Sequence, residues 1–136
     1  MLQNFKIINT IIPFIISYII LYAIYIQLNG EVSPGGGFQA GVIFASGIIA
    51  YDLVLNKKRM FEINNLIVCA ILGVMLYAGV GVISLFINDN YLDYSSISDN
   101  NIKGQHIGIF LIEIGVGLTV SSVMYLIYSL LKEEAR

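Results

Sequence analysis

Residues Leu66 to Ile87 read LIVCAILGVMLYAGVGVISLFI, 22 positions without one charged side chain. About 20 apolar residues are what a helix needs to cross the hydrocarbon core of a bilayer. Working outward, three more runs of this kind appear, at about Ile7–Leu28, Gly37–Leu55 and His106–Leu131. Across all 136 residues, 57% are hydrophobic and 12% charged, against roughly 25% charged in soluble domains. The expected fold is therefore all-α: one integral membrane domain over residues 1–136 with four transmembrane helices, about 7–28, 37–55, 66–87 and 106–131. No span of the sequence is left for a separate soluble catalytic domain. The first run is too long for the apolar core of a signal peptide and lacks a clear small-residue cleavage site, so it reads as a retained helix. Pro13 lies inside it, which membrane helices tolerate when neighbours satisfy the freed carbonyl.

The basic residues predict an orientation. Four spans place both termini and the second loop on one side, with Lys6, Lys57, Lys58, Arg59, Lys132 and Arg136; the other side holds only Lys103. Positive residues favour the cytoplasmic side, so both termini are expected there. The turn-rich break Asn29–Gly36 and the acidic stretch Asn88–Gln105, with Asp89, Asp93 and Asp99, then face outward. With no tryptophan and nine tyrosines, any aromatic belt at the membrane surface must be tyrosine. The net charge of −2 and the lack of a basic patch argue against nucleic acid as a partner.

Helices in lipid associate by close packing and hydrogen bonds, so small residues four apart mark contact faces. The chain offers Gly37, Gly41 and Ala45 in the second helix, Cys69, Gly73 and Tyr77 with Gly79 and Gly81 in the third, and Gly117 and Ser121 in the fourth. Whether these faces meet inside the chain or against another subunit is open at this level. In the first helix Tyr18, Tyr22 and Tyr25 form a stripe, read as a packing face or, more sharply, as an ion-lining face. Cys69, the only cysteine, reads as a structural thiol, since one thiol makes neither an internal disulfide nor a zinc cage.

Glu113 is the most informative residue. A carboxylate at mid-span costs ~2.5–3.5 kcal/mol on insertion scales, so it normally faces a bundle interior or a wet cavity. It is either protonated or ionised with a compensating charge, and both states suit a proton or sodium path. The bland alternative is a protonated acid hydrogen-bonded to a neighbouring helix. His106, seven residues earlier, shares its face, as do Gly117 and Ser121. Histidine changes charge near physiological pH, which makes His106 a second candidate for the path, although a solvated histidine at the start of the helix also fits. Asp52 reads as an interfacial charge near Lys57, Lys58 and Arg59. Gln39 and Asn9 read as interhelical hydrogen-bonding groups. The glycines Gly35 and Gly37 with Ala40 fit a G-x-G-x-x-A spacing, but no strand precedes them, so nucleotide binding is rejected. They instead give an unusual backbone entry into the second helix, whose N-terminus presents free N–H groups. No nucleophile–base pair, metal-ligand cluster or cofactor motif is present, so the chain is expected to be neither an enzyme nor a cofactor protein.

Two stretches resemble a known family. Gly30-Glu31-Val32-Ser33-Pro34-Gly35-Gly36-Gly37-Phe38-Gln39-Ala40-Gly41-Val42-Ile43 is similar to the signature of the MnhB family, small subunits of the Mrp-type multisubunit sodium/proton antiporters. Gly108 to Val120, with Glu113 before Ile114-Gly115-Val116, resembles that family's last helix. The resemblance implies a small multi-pass subunit of a monovalent cation/proton antiporter in a bacterial or archaeal plasma membrane. It further implies partnership with other hydrophobic subunits, and sodium ions and protons as the transported species. The family motif carries over to Pro34, Gly35, Gly36, Gly37, Phe38, Gly41 and Glu113. Many members carry histidine where this chain has Glu31, and glycine where it has Ala40. Alternatives are a subunit of a hydrogenase- or complex-I-like redox pump, or a scaffold subunit that carries no ions. A self-sufficient four-helix drug/proton exchanger is disfavoured, because such carriers place an acid in the first helix and Ile7–Leu28 has none.

Overall fold

The computed structural model describes residues 6–31, 35–55, 60–88, 91–94 and 101–135. Pro34, Lys57, Lys58, Arg59, Asp89, Asp99 and Arg136 lie outside the described residues, as do the side chains of Lys6 and Asn9. Four helices follow one another: α1 (Lys6–Asn29), α2 (Gly37–Leu55), α3 (Ile63–Asn88) and α4 (Asn101–Glu134). Each contains a window long and apolar enough to span a bilayer. α4 begins at Asn101 rather than near His106 and has 34 residues. At 1.5 Å per residue it is ~50 Å long, well beyond the ~30 Å hydrocarbon core, so its polar ends extend past the span.

The helices run alternately up and down, in the lateral order α1–α2–α4–α3. α1 meets α4 only lightly, and α2 and α3 do not pack on each other among the described residues. The result is a curved row with α2 and α4 at its centre, parallel to one another. Backbones approach closely where side chains are absent. A Cβ on Gly41 would sit 2.7 Å from the Gly117 carbonyl oxygen, and one on Gly115 would sit 2.8 Å from that of Gly73. The Thr119 hydroxyl, bonded to the Gly115 carbonyl (2.8 Å), also reaches the Ala70 carbonyl across the α3–α4 seam (3.4 Å). The small-residue faces of α2, α3 and α4 therefore serve contacts within the chain, except that Gly79 faces open space.

The pattern of exposure is that of a membrane protein. Small side chains such as Ala23, Ala40, Ala45 and Ser84 are buried, while Phe14, Leu21, Met75 and Phe86 are exposed. With no water to drive apolar burial, small residues fill the seams and large ones face outward. The tyrosine stripe follows the large residues: Tyr18, Tyr22 and Tyr25 are all exposed. Their rings pair along the outside of α1, Phe14 edge-on to Tyr18 and Tyr22 stacked on Tyr25. They line no interior path of this chain, which removes the ion-lining reading within it.

Residues 91–94, between α3 and α4, pack against the two helices. The Tyr91 ring fills the notch at Gly81 and the Tyr94 ring that at Gly108. Burial, then the neighbouring Tyr77 and Tyr91, push the Tyr94 hydroxyl above its ordinary pKa. Cys69 is half-buried.

Candidate functional site

The site begins with the path of the backbone into α2. Gly36 has φ 111°, a conformation that costs a side-chain-bearing residue but not glycine. Its carbonyl accepts the first helical bond from the Ala40 N–H (3.0 Å), so Gly36 is the N-cap and α2 starts at Gly37. That start lies directly on α4. A Cβ on Gly37 would strike the carbonyl oxygen of Glu113 and lie 2.8 Å from its carbonyl carbon. Only glycine allows two helices to touch here.

The Glu113 side chain extends into the space these glycines leave. A Cβ on Gly30, at the end of α1, would overlap its carboxyl group, and one on Gly36 would lie 3.2 Å from Oε1. The half-buried carboxyl is thus cradled between the end of α1 and the N-cap of α2. The N-terminal end of a helix carries a partial positive charge and unsatisfied N–H groups, a favourable setting for a carboxylate. No lysine or arginine forms an ion pair with Glu113 among the described residues. The motif glycines and the acid of the last helix, more than 70 positions apart in sequence, are one site in space.

His106 and Glu31 form its rim. The His106 Nδ1 and the Glu31 carboxylate make a contact that is an ion pair when the imidazole is protonated. His106 has a 58% exposed side chain and Glu31 a 32% exposed one. His106 lies in the second turn of α4, two turns (~10 Å) from Glu113. His106 is a solvated residue near the start of its helix that also meets Glu31, the residue beside Gly30. Phe38 is exposed. Gly41 seats on Gly117 one turn deeper.

Below the carboxyl a cleft of about 260 Å³ opens between α1, α2 and α4, with Gln27, Ala40, Gly41, Gly117 and Ser121 in its wall. Gln27 reaches across to Gly117, and its buried Nε2 has no hydrogen-bond partner among the described residues. No group of residues suited to holding a metal ion occurs among the described residues.

At the opposite end of the same two helices Asp52 is 2% exposed within the chain. Its partner is Lys132, with Nζ 2.9 Å from Oδ2, 80 positions away. The Tyr125 hydroxyl also donates to Oδ2 (3.4 Å) while accepting from the Met60 N–H (3.2 Å). The sequence does not reveal Asp52, Tyr125 and Lys132 as a group, because the nearby basic run offers a local explanation for the acid.

Comparison with known proteins agrees with this arrangement. The family model for a domain related to the MnhB subunit of Na+/H+ antiporters matches residues 7–126. Curated relatives named "Putative antiporter subunit mnhB2" in Staphylococcus aureus strains Newman, JH1 and COL are each 26% identical over 129 residues, covering 91% of this chain and 92% of theirs. A match over nearly the whole length, with both motifs folded into one site, assigns the chain: it belongs to the MnhB family of Na+/H+ antiporter subunits.

Proposed function

We propose that this chain, a multi-pass plasma-membrane subunit of a multisubunit Na+/H+ antiporter, contributes Glu113 to the ion path of the complex, with His106 and Glu31 at the mouth. The single observation that carries this is the cradle: Gly30 and Gly36 leave room for one carboxyl group and Gly37 seats its backbone beside a helix N-terminus, with no basic partner among the described residues. An acid fixed by a salt bridge would be locked in its ionised form. An acid held by backbone dipoles and open space can gain and lose a proton without leaving a cation stranded. The rim pair offers a route to water, since His106 is exposed. With six basic residues on the terminal side of the sequence and one on the other, Glu113 lies toward the outer surface and both termini are cytoplasmic. The partners are the other hydrophobic subunits of the antiporter, and the ions are sodium and protons. The role is transport rather than catalysis of a covalent reaction.

The test is Glu113→Gln in the assembled complex, read as sodium-dependent collapse of a proton gradient in everted membrane vesicles. Loss of transport with normal co-purification of the subunits supports the path. Normal transport means the chain is a scaffold at this position.

A further inference from the structure

The strongest feature that the fold leaves unexplained is Gln27, in the last turn of α1. Ala23 and Ile26 of this helix are buried, and Gln27 follows them on the inner side. Its amide lies on α4, where a Cβ on Gly117 would strike Oε1. The other half of the amide, Nε2, is buried and has no hydrogen-bond partner among the described residues. A buried donor without an acceptor is uncommon and costly, because nothing replaces the water it has lost. Helix association alone does not call for it. An apolar side chain of the same length would line the same cleft wall without that cost.

The matching acceptor is one turn away. The Glu113 carboxyl accepts no hydrogen bond among the described residues. It occupies the place of a side chain at Gly30, since a Cβ there would lie 2.7 Å from its Cδ. Gln27 and Gly30 are three positions apart at the end of α1. Side chains at that spacing start ~5–6 Å apart on one face of a helix, a gap that the stem and amide of glutamine span. On α4 the relation is the same: Gly117, which the amide touches, is one turn from Glu113. A donor without an acceptor and an acceptor without a donor thus stand on neighbouring turns of the same two helices. The amide also suits an acid that changes state. Its NH2 donates to a carboxylate and its carbonyl accepts from a carboxylic O–H, so one neutral side chain partners both forms. A lysine ammonium has donors only and would partner the ionised form alone.

We propose that Gln27 is the positioning residue of Glu113: its amide turns from Gly117 to the carboxyl and holds it in the glycine socket in either protonation state. This rests on the reading of Glu113 in the ion path and names the side chain that steadies it there. No covalent bond of Gln27 changes. When Glu113 is ionised, Nε2–H donates to a carboxylate oxygen. When Glu113 is protonated, its O–H donates to Oε1. The motion is a rotation about the side-chain bonds of Gln27 beside the cleft whose wall it shares with Gly117, and no helix moves.

The experiment uses the assembled antiporter in vesicles with three separate replacements in this subunit: Gln27→Met, Gly117→Ala and Glu113→Gln. The first keeps the length of the side chain and removes the amide. The second displaces the amide, because the flexible end of Gln27 is the first atom that a methyl group at position 117 meets. Two quantities are read: sodium-driven proton transport, and the infrared band of the Glu113 carboxyl group, identified as the intensity missing from Glu113→Gln. We expect Gln27→Met to co-purify normally and its transport to fall about tenfold, the scale of one hydrogen bond to a charged group. The carboxyl band should move to higher wavenumber, as that of a protonated acid does when it loses a hydrogen bond, and Gly117→Ala should move it the same way. An unmoved band in Gln27→Met overturns the proposal, and so does a moved band with wild-type transport. A purely structural role would lower co-purification and leave the band of the assembled fraction in place. If Gln27→Met does not assemble, Gly117→Ala decides by the same two readings. The two possible failures are distinguishable. Inactive Glu113→Gln beside a Gln27→Met complex unchanged in both readings removes the role of Gln27 alone. Wild-type transport by Glu113→Gln removes the ion-path reading, and the role of Gln27 with it.

Discussion

Glu113 and Asp52 are two acids on neighbouring parallel helices, at opposite ends, and they are accommodated in different ways. Asp52 has a cation, Lys132, within 2.9 Å and is buried under Tyr125. Glu113 is held by the absence of side chains at Gly30, Gly36 and Gly37 and by the start of α2. The first solution uses opposite charge and costs desolvation of two ions. The second uses backbone dipoles and shape, and costs the conformational entropy of glycine. The contrast teaches that the glycine-rich motif is a socket: its conformation matters because of what α4 inserts into it.

If that contrast holds, breaking each end gives a different signature. The largest effect on stability is expected from Lys132→Met, which leaves Asp52 buried without its cation. We expect a loss of about 3 kcal/mol, the scale for breaking a buried pair from one side, read as a lowered thermal unfolding midpoint of the detergent-solubilised complex. Asp52→Asn/Lys132→Met should recover most of it. Gly37→Ala comes next, because its Cβ meets the Glu113 backbone and no rotamer change relieves the clash. A cost of about 2 kcal/mol, typical of overpacking, should appear as reduced stability together with reduced transport. His106→Ala removes a solvent-exposed pair and should change stability by less than about 1 kcal/mol, measured in the same melting assay. Gly79→Ala is the contrasting control. Nothing lies within 4 Å of a Cβ there, so stability should hold or rise by up to about 1 kcal/mol through helix propensity.

The four helices are legible in the sequence because lipid demands length and apolarity, and both are visible without any tertiary information. The start of α4 is not, because Asn101, Lys103 and Gln105 are polar and helix beyond the bilayer leaves no hydropathy signal. Glu113 is legible as a costly charge, and the glycines as an unusual backbone. Their contact is hidden, since nothing local to Gly30 or Gly37 says which helix crosses there. The contact of Asp52 with Lys132 is hidden for a related reason. The nearby Lys57, Lys58 and Arg59 suggest a local partner, and the pairing with Lys132 becomes apparent only once α2 and α4 are known to run side by side and parallel. Counting from the crossing of Gly37 on Glu113, Asp52 and Lys132 then fall at similar depths along their helices, and that register is the signal a pairing of the two helices would supply. The tyrosine stripe shows the opposite limit: its periodicity on α1 is real, but a stripe on a helix in lipid does not reveal which side is inside.

The most direct test of the central claim, that Glu113 exchanges its proton during transport, is a sodium-induced infrared difference spectrum of the assembled antiporter, wild type beside Glu113→Gln. The expected result is a protonated-carboxyl band that loses intensity when sodium is added to the wild type and is missing from the difference spectrum of the variant. Identical difference spectra from the two complexes would contradict it, leaving Glu113 as a structural carboxyl in a glycine socket.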